Sequence, residues 1–322
     1  MPAGRSVSPA PARPPACPAC GAELRPWRSV LSSEPGLAGR RFELLRCLRC
    51  GTAVTAGGSV EALHDSGAYR PGTPRLYMPA RSVLSLFDRQ RLALVRELVP
   101  PPARLLDAGA GRGRFVRSAA SAGYAATGVE PSARGVQAAA ELGVPVMRAS
   151  IEGAPVEPGS VDVVTLWHVL EHLDDPGSAL SAISSWLRPA GGLLVGVPNL
   201  ASLQARISGD RWYHLDVPRH RVHFTERGIR ALLARRGFRV LATRHVLLEH
   251  NPFGMWQSWL SRLTTHPSYV YNLLKRNAPA RSRDLALALA LVPLAPLAGL
   301  AELGAGLAGR GGTVAVLARR DG

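Results

Sequence analysis

Seven residues, Asp107-Ala-Gly109-Ala-Gly111-Arg-Gly113, are the part of this chain best suited to holding a small molecule. Glycine lets a chain turn tightly after a strand and lets a ligand approach the main chain. A dinucleotide fingerprint counted from Gly109 requires glycine at position 114, where Arg114 stands. The third glycine comes one residue early instead, and Asp107 precedes the loop. A carboxylate there suits a ligand with a cationic amino-acid tail and is unhelpful beside a pyrophosphate. Glu130 follows 23 residues after Asp107, about where an open α/β sheet positions a carboxylate for ribose hydroxyls.

Two further sets of residues can do chemistry. Cys17-Pro-Ala-Cys20-Gly and Cys47-Leu-Arg-Cys50-Gly are paired knuckles separated by 26 residues, the spacing of a ribbon-type tetrahedral zinc site. Four thiolates leave no open coordination position, so Cys17, Cys20, Cys47 and Cys50 are expected to hold a structural ion. Five of the nine histidines fall in two clusters, His168 with His172, and His214 with His220 and His223. The first spells HVLEH, a formal match to the inverted zinc-protease signature. That motif requires a helix, whereas this one follows a buried apolar run, so a protease is excluded. The second lies in RWYHLDVPRHRVHF, residues 211–224.

The elements that must position these groups follow from the pattern of apolar runs. Val83, Leu84, Phe87, Leu92, Val95 and Leu98 predict one face of a helix stopped by Pro100–Pro102. Strands are expected at 104–108, 124–129, 144–149, 161–166 and 193–197, with helices at 113–122, 132–142 and 176–187 between them. A helix at 225–236, a strand from Phe238 to about Val246 and a last strand within 311–320 complete the series. This alternation predicts an α/β class, a Rossmann-like doubly wound sheet, mostly parallel with an antiparallel last strand. Residues 1–15 read as a disordered tail, 16–56 as the zinc ribbon and 57–80 as a linker or lid. Residues 81–322 read as the main domain with a helical apolar insert at 250–310. Within that insert 285–301 holds 17 uncharged residues broken by Pro293 and Pro296. A membrane-surface or re-entrant segment, a helical pair packed on the domain and a dimer interface are the open readings.

Residues 104–199 resemble the class I S-adenosylmethionine-dependent methyltransferases, in particular the bacterial ubiquinone/menaquinone- and glycan-type branch. The resemblance rests on four motifs in order: LLDAGAGRGRF, GVEPS at 128–132, VDVVTLWHVLEHLDDP at 161–176 and LRPAGGLLVGVPN at 187–199. It implies that Asp107, Gly109 and Gly111, with Gly113 closing the loop, line the methionine part of S-adenosylmethionine. It places Glu130 on the ribose, Ser150 and Ile151 by the adenine, and Trp167 at a strand end closing on the cofactor. The family often has an acid near 150, and this chain has Arg148-Ala-Ser150 instead. WYHLDVPRH is similar to stretches that recur in the same branch, which places 211–224 near the acceptor. A hydroxyl or amine acceptor must lose a proton, and histidine, with a pKa near ~6.5, is the usual base. His220 is the expected base, oriented by Asp216 or His172.

Charge bounds the partners. The net charge of +16 divides into +7 over residues 1–100, −2 over 101–200 and +11 over 201–322. Basic flanks around a near-neutral cofactor region favour an anionic partner: nucleic acid, an acidic membrane surface or a phosphorylated carrier. Lys275 is the only lysine and no G-K-[ST] follows a glycine loop, which removes phosphate-loop NTPases and Schiff-base chemistry. The leading expectation is methyl transfer to a small-molecule, glycan or lipid-linked acceptor. An RNA methyltransferase using the ribbon and basic flanks is an alternative, although aromatic residues make up only 6% and no stacking platform is evident. A non-catalytic zinc-ribbon binding protein is the third reading. No apolar signal core precedes the cysteines, so a reducing cytoplasm is expected, with 285–301 able to reach the inner face of the membrane.

Overall fold

The computed structural model describes residues 15–57, 77–274 and 279–321. The expected tail and most of the expected linker lie outside these, as do Lys275 and Arg276. Strands β1 (Leu24–Leu31), β2 (Arg41–Cys47) and β3 (Ala53–Thr55) open the chain, followed by helix α1 (Tyr77–Leu98). Then come β4 (Arg104–Ala108), α2 (Arg114–Ser121), β5 (Ala125–Glu130), α3 (Ala133–Glu141), β6 (Val146–Arg148) and β7 (Val161–Trp167). Helix α4 (Pro176–Trp186), β8 (Leu187–Pro198), α5 (Leu203–Ser208), β9 (Val222–His223), α6 (Glu226–Arg235) and β10 (Phe238–Arg244) continue the series. Four helices, α7 (Asn251–Ser261), α8 (Tyr269–Leu274), α9 (Ser282–Leu291) and α10 (Ala295–Leu307), precede β11 (Thr313–Arg320).

Seven strands form one sheet in the order β10-β11-β8-β7-β4-β5-β6. The pairs among β8, β7, β4, β5 and β6 are parallel, and β11 runs antiparallel to both of its neighbours. This is the α/β doubly wound arrangement that the apolar runs predict. The central strands are apolar on both sides because both faces are covered. Leu92, Val95, Leu98, Phe115, Val116 and Ala119 pack on one face. Leu180, Ile183, Trp186, Ile229, Leu232 and Leu233 pack on the other. Helix starts are capped by side chains: Ser132 accepts from Gly135 N, Asp175 from Gly177 N and Ser178 N, and Thr225 from Gly228 N.

Three local expectations shift. Val83 is 52% exposed, and the buried face of α1 carries the polar Asp88 and Arg91 instead, which meet Ser118 on α2 and Asp107 on β4. Strand β8 begins at Leu187, six residues before the expected start, because Leu187 pairs with Val161 across the sheet. A second sheet, β1-β2-β3-β9, takes its fourth strand from Val222–His223, so the cysteine unit shares a sheet with the 211–224 loop.

Candidate active site

The loop after β4 turns through three left-handed residues, Gly109 (φ 81°), Gly111 (φ 54°) and Gly113 (φ 72°). That conformation strains any residue with a side chain. A Cβ on Gly109 would lie 2.4 Å from Cγ2 of Val169, so the chain after β7 presses directly on the loop. Glu130, at the end of β5, accepts from Gly111 N (2.9 Å) through Oε2 and from Ser132 N (3.0 Å) through Oε1. One carboxylate thus ties the glycine loop to the turn that follows β5. Ile151 is buried in the core, while the exposed Ser150 accepts from Gly153 N (3.1 Å) to form the turn beside it.

Asp107 is buried and paired. It accepts from Arg91 on α1 and from Thr165 Oγ1 (2.6 Å) on β7, and both contacts fall on Oδ1. The Arg91 guanidinium lies 3.7 Å over the Phe115 ring and 5.3 Å from the Trp167 ring. Trp167 fills the space left by Gly196, where a Cβ would meet its ring at 2.6 Å. The indole therefore packs across β8, and its Nε1 is buried with no hydrogen-bond partner among the described residues.

Histidines from three segments converge beside this loop. His168, the residue after β7, is held in a left-handed conformation (φ 55°), and its Nδ1 lies 2.9 Å from Glu171 Oε1. Its ring stacks 6.1 Å from that of His214 and sits edge-on to His250 at 5.0 Å. His172 and His220 meet edge-to-face at 4.7 Å, and His172 Nδ1 lies 3.2 Å from the Arg219 carbonyl. His220 Nδ1 donates to the His214 carbonyl (2.8 Å), because a carbonyl oxygen can only accept. Its Nε2 therefore carries the lone pair when the ring is neutral, and lies 3.9 Å from Asp216 Oδ2. Asp216 also accepts from Ser33 Oγ and from Arg219 (3.1 Å), and Arg219 reaches Glu34 at 2.7 Å.

The electrostatics follow from this crowding. Burial alone would raise the Glu171 carboxyl, but the His168 hydrogen bond and the charges of His168, His172 and His220 bring it down to about 2. Burial works against Asp216 too, and Arg219 and His220 overcome it, so it stays ionised. Burial, reinforced by His168 and His250, pushes His214 well below the usual histidine range. The Nε2 atoms of His168 and His214 are buried without partners among the described residues.

The structure brings the expected His220, Asp216 and His172 together, and Val169, three residues before His172, presses on Gly109 of the loop. Glu171, His250 and Arg91 are functional candidates that sequence reasoning missed, and His168, noted there only as half of a histidine pair, joins them. The i,i+3 spacing of His168 and Glu171 was a readable signal, but the HVLEH string drew attention to a metal motif. Arg91 carried no such signal, since its partner is 16 residues away on another element.

The four cysteines also gather. Their sulfurs lie within 4.8 Å of one another, with Cys17–Cys50 at 3.6 Å and Cys20–Cys47 at 3.5 Å. Thiolates at ~2.3 Å from a tetrahedral zinc stand about 3.8 Å apart, so the donor set fits such an ion.

Comparison with known proteins identifies the family. A family model described as a methyltransferase domain matches residues 81–243, slightly more than half of the chain. A ubiquinone biosynthesis O-methyltransferase of Cupriavidus pinatubonensis is 36% identical over 103 residues, covering 30% of this chain and 41% of that protein. An uncharacterized methyltransferase of a Mycobacterium species is 35% identical over 117 residues, covering 31% and 46%. The chain thus spans less than half the length of these curated relatives. Among solved structures, the [4+2]-cyclase SpnF aligns over 73% of this chain and 80% of its own, at 20% identity and a TM-score of 0.49. A possible histamine N-methyltransferase of Thermotoga maritima aligns over 76% and 95%, at 19% identity and a TM-score of 0.47. By the match over residues 81–243, the chain belongs to the methyltransferase-domain family.

Proposed function

We propose that this protein transfers a methyl group from S-adenosylmethionine to a small-molecule, glycan or lipid-linked acceptor, with His220 as the base. The observation that carries the reading is the meeting of the glycine turn, pinned by Glu130, with the histidines of 168–172 and 214–220 at the carboxyl end of the sheet. Ligands of open α/β sheets gather at that end. The loop of Asp107, Gly109, Gly111 and Gly113, with Glu130, Ser150, Ile151 and Trp167, would hold the cofactor. When bound, the cofactor supplies a methyl group on an electrophilic sulfonium centre. The chain's own task is then to orient the acceptor and take its proton.

His220 is suited to that task. The His214 carbonyl fixes its tautomer, leaving Nε2 able to accept a proton. Asp216, ionised and 3.9 Å away, would stabilise the imidazolium that forms, and His172 supports the ring from its face. We also assign Cys17, Cys20, Cys47 and Cys50 to a structural zinc ion.

The test is His220→Ala, read with the labelled methyl of the cofactor against fractionated cell extract to find the acceptor. Cofactor affinity should be retained while kcat falls by roughly 10²–10⁴. Unchanged turnover would remove His220 from the reaction, and no affinity for the cofactor in the parent protein would overturn the reading as a whole.

A further inference from the structure

Helices α9 and α10, joined by the short turn Val292–Leu294, form an apolar rod over 282–307, with a mean hydropathy of 1.9 over its most apolar 18-residue window. One side of the rod is fixed to the protein. Asp284, Ala288, Ala298, Glu302 and Ala305 are buried there. Asp284 accepts from Thr265 N (3.1 Å), and Glu302 accepts from Gln204 Nε2 and Gly312 N, each at 2.7 Å. The opposite side carries Leu289, Val292, Leu297, Leu300, Leu303 and Leu307, all between 44% and 75% exposed. The steps of three, three and four residues from Leu297 to Leu307 put these leucines along one helical face. Contiguous apolar surface of this kind on a folded chain marks an interaction site.

The distribution of charge identifies the occupant. Between residues 281 and 310 the only carboxylates are Asp284 and Glu302, and both are turned to the protein. Arg281 and Arg283 are exposed at one end of the rod and Arg310 at the other. The outward surface is thus a leucine face ended by arginines, with no exposed acid. A second copy of the chain laid on this face, in either direction, would set arginines against arginines. An anionic lipid surface offers acyl chains to the leucines and phosphates to the arginines. A transmembrane placement does not fit, because the polar bonds of Asp284 and Glu302 tie the other face to the domain and would enter hydrocarbon with it.

We propose that this face docks in the plane of an anionic lipid bilayer, with the leucines at the acyl boundary and Arg281, Arg283 and Arg310 among the headgroups. Docking is independent of which residue acts as base, and its failure would leave the methyltransferase reading intact. If both hold, the acceptor class narrows to one carried on, or delivered from, a membrane.

The test is flotation of the full-length protein with phosphatidylcholine vesicles, with and without phosphatidylglycerol. The protein should float with the anionic vesicles and be released as salt rises. Leu297→Glu combined with Leu300→Glu should lower the bound fraction at least about ten-fold. Arg281→Gln with Arg283→Gln should remove the preference for anionic vesicles. All four positions are exposed, and calorimetry with S-adenosylmethionine checks each variant, so a docking loss is separable from a folding or cofactor-binding loss. Failure of the parent protein to float, or flotation unchanged by the leucine replacements, would overturn the proposal. So would a dimer in solution that these replacements dissociate while vesicles capture nothing.

Discussion

Gly109 and Gly143 both adopt left-handed φ angles, 81° and 67°, yet their surroundings differ. Nothing lies within 4 Å of a Cβ built on Gly143, whereas one on Gly109 would meet Val169 Cγ2 at 2.4 Å. Gly143→Ala therefore carries only backbone strain, about 1 kcal/mol of stability, and should leave cofactor affinity unchanged. Gly109→Ala adds a clash that must push apart the glycine loop and the segment after β7 that carries His168 and Val169. Its expected effect is a loss of cofactor affinity of at least about ten-fold, measured by calorimetry on both variants. Equal affinities would show that the loop tolerates a side chain and that its glycines serve the turn alone. Asp107 illustrates a related point. Its Oδ1 is committed to Arg91 and Thr165, so any contact it makes with a ligand must come through its remaining acceptor capacity.

At the scale of elements, the cysteine unit is a brace for the 211–224 loop. Val54 pairs with Val222 and Ala53 with His223, Thr55 Oγ1 donates to the His220 carbonyl (2.7 Å), and Ser32 Oγ donates to that of Val217 (3.0 Å). The glycine loop depends instead on Glu130 and Val169. With the four cysteines holding the zinc we propose, a chelator, or Cys20→Ser, should therefore lower kcat at least about ten-fold with little change in cofactor affinity. Steady-state kinetics and calorimetry on the same samples would show this, and loss of neither quantity would make the unit a mere appendage. The brace was not legible in the sequence, because a two-residue strand pairing with a partner some 170 residues away leaves no local pattern. The main sheet was legible because each strand is an apolar run bounded by turn residues: Arg104–Ala108 was expected at the residues where it is found. The same holds for the glycine loop, whose three φ angles follow from residue type. The contacts that tune the site, Arg91 on Asp107 and His214 stacked on His168, join distant segments and emerged only from the fold.

For the molecule as a whole, buried imidazoles make stability depend on mildly acidic pH. Burial, aided by His220 and Arg221, brings His223 down to about 3, and burial also depresses His214. In the unfolded chain both titrate near ~6.5. A base whose folded pKa is depressed contributes stability that is complete above its unfolded pKa. That stability is lost as pH falls, because the unfolded chain takes up the proton first. His223 alone should cost about 2 kcal/mol between pH ~6.5 and pH ~5, at about 1.36 kcal/mol per unit. The chain already carries +16 at neutral pH, so each added proton also increases self-repulsion. His223→Gln isolates the first effect. Thr55 Oγ1 spends its hydrogen on the His220 carbonyl, so at 3.0 Å it accepts from His223 Nε2, and a glutamine amide can make the same donation. Urea unfolding of both proteins between about pH 7 and pH 5 should give a shallower decline for the variant, by about 2 kcal/mol over that range. Parallel declines would mean that His223 takes up its proton inside the folded protein, and that the loop bearing His220 opens to water well before the chain unfolds.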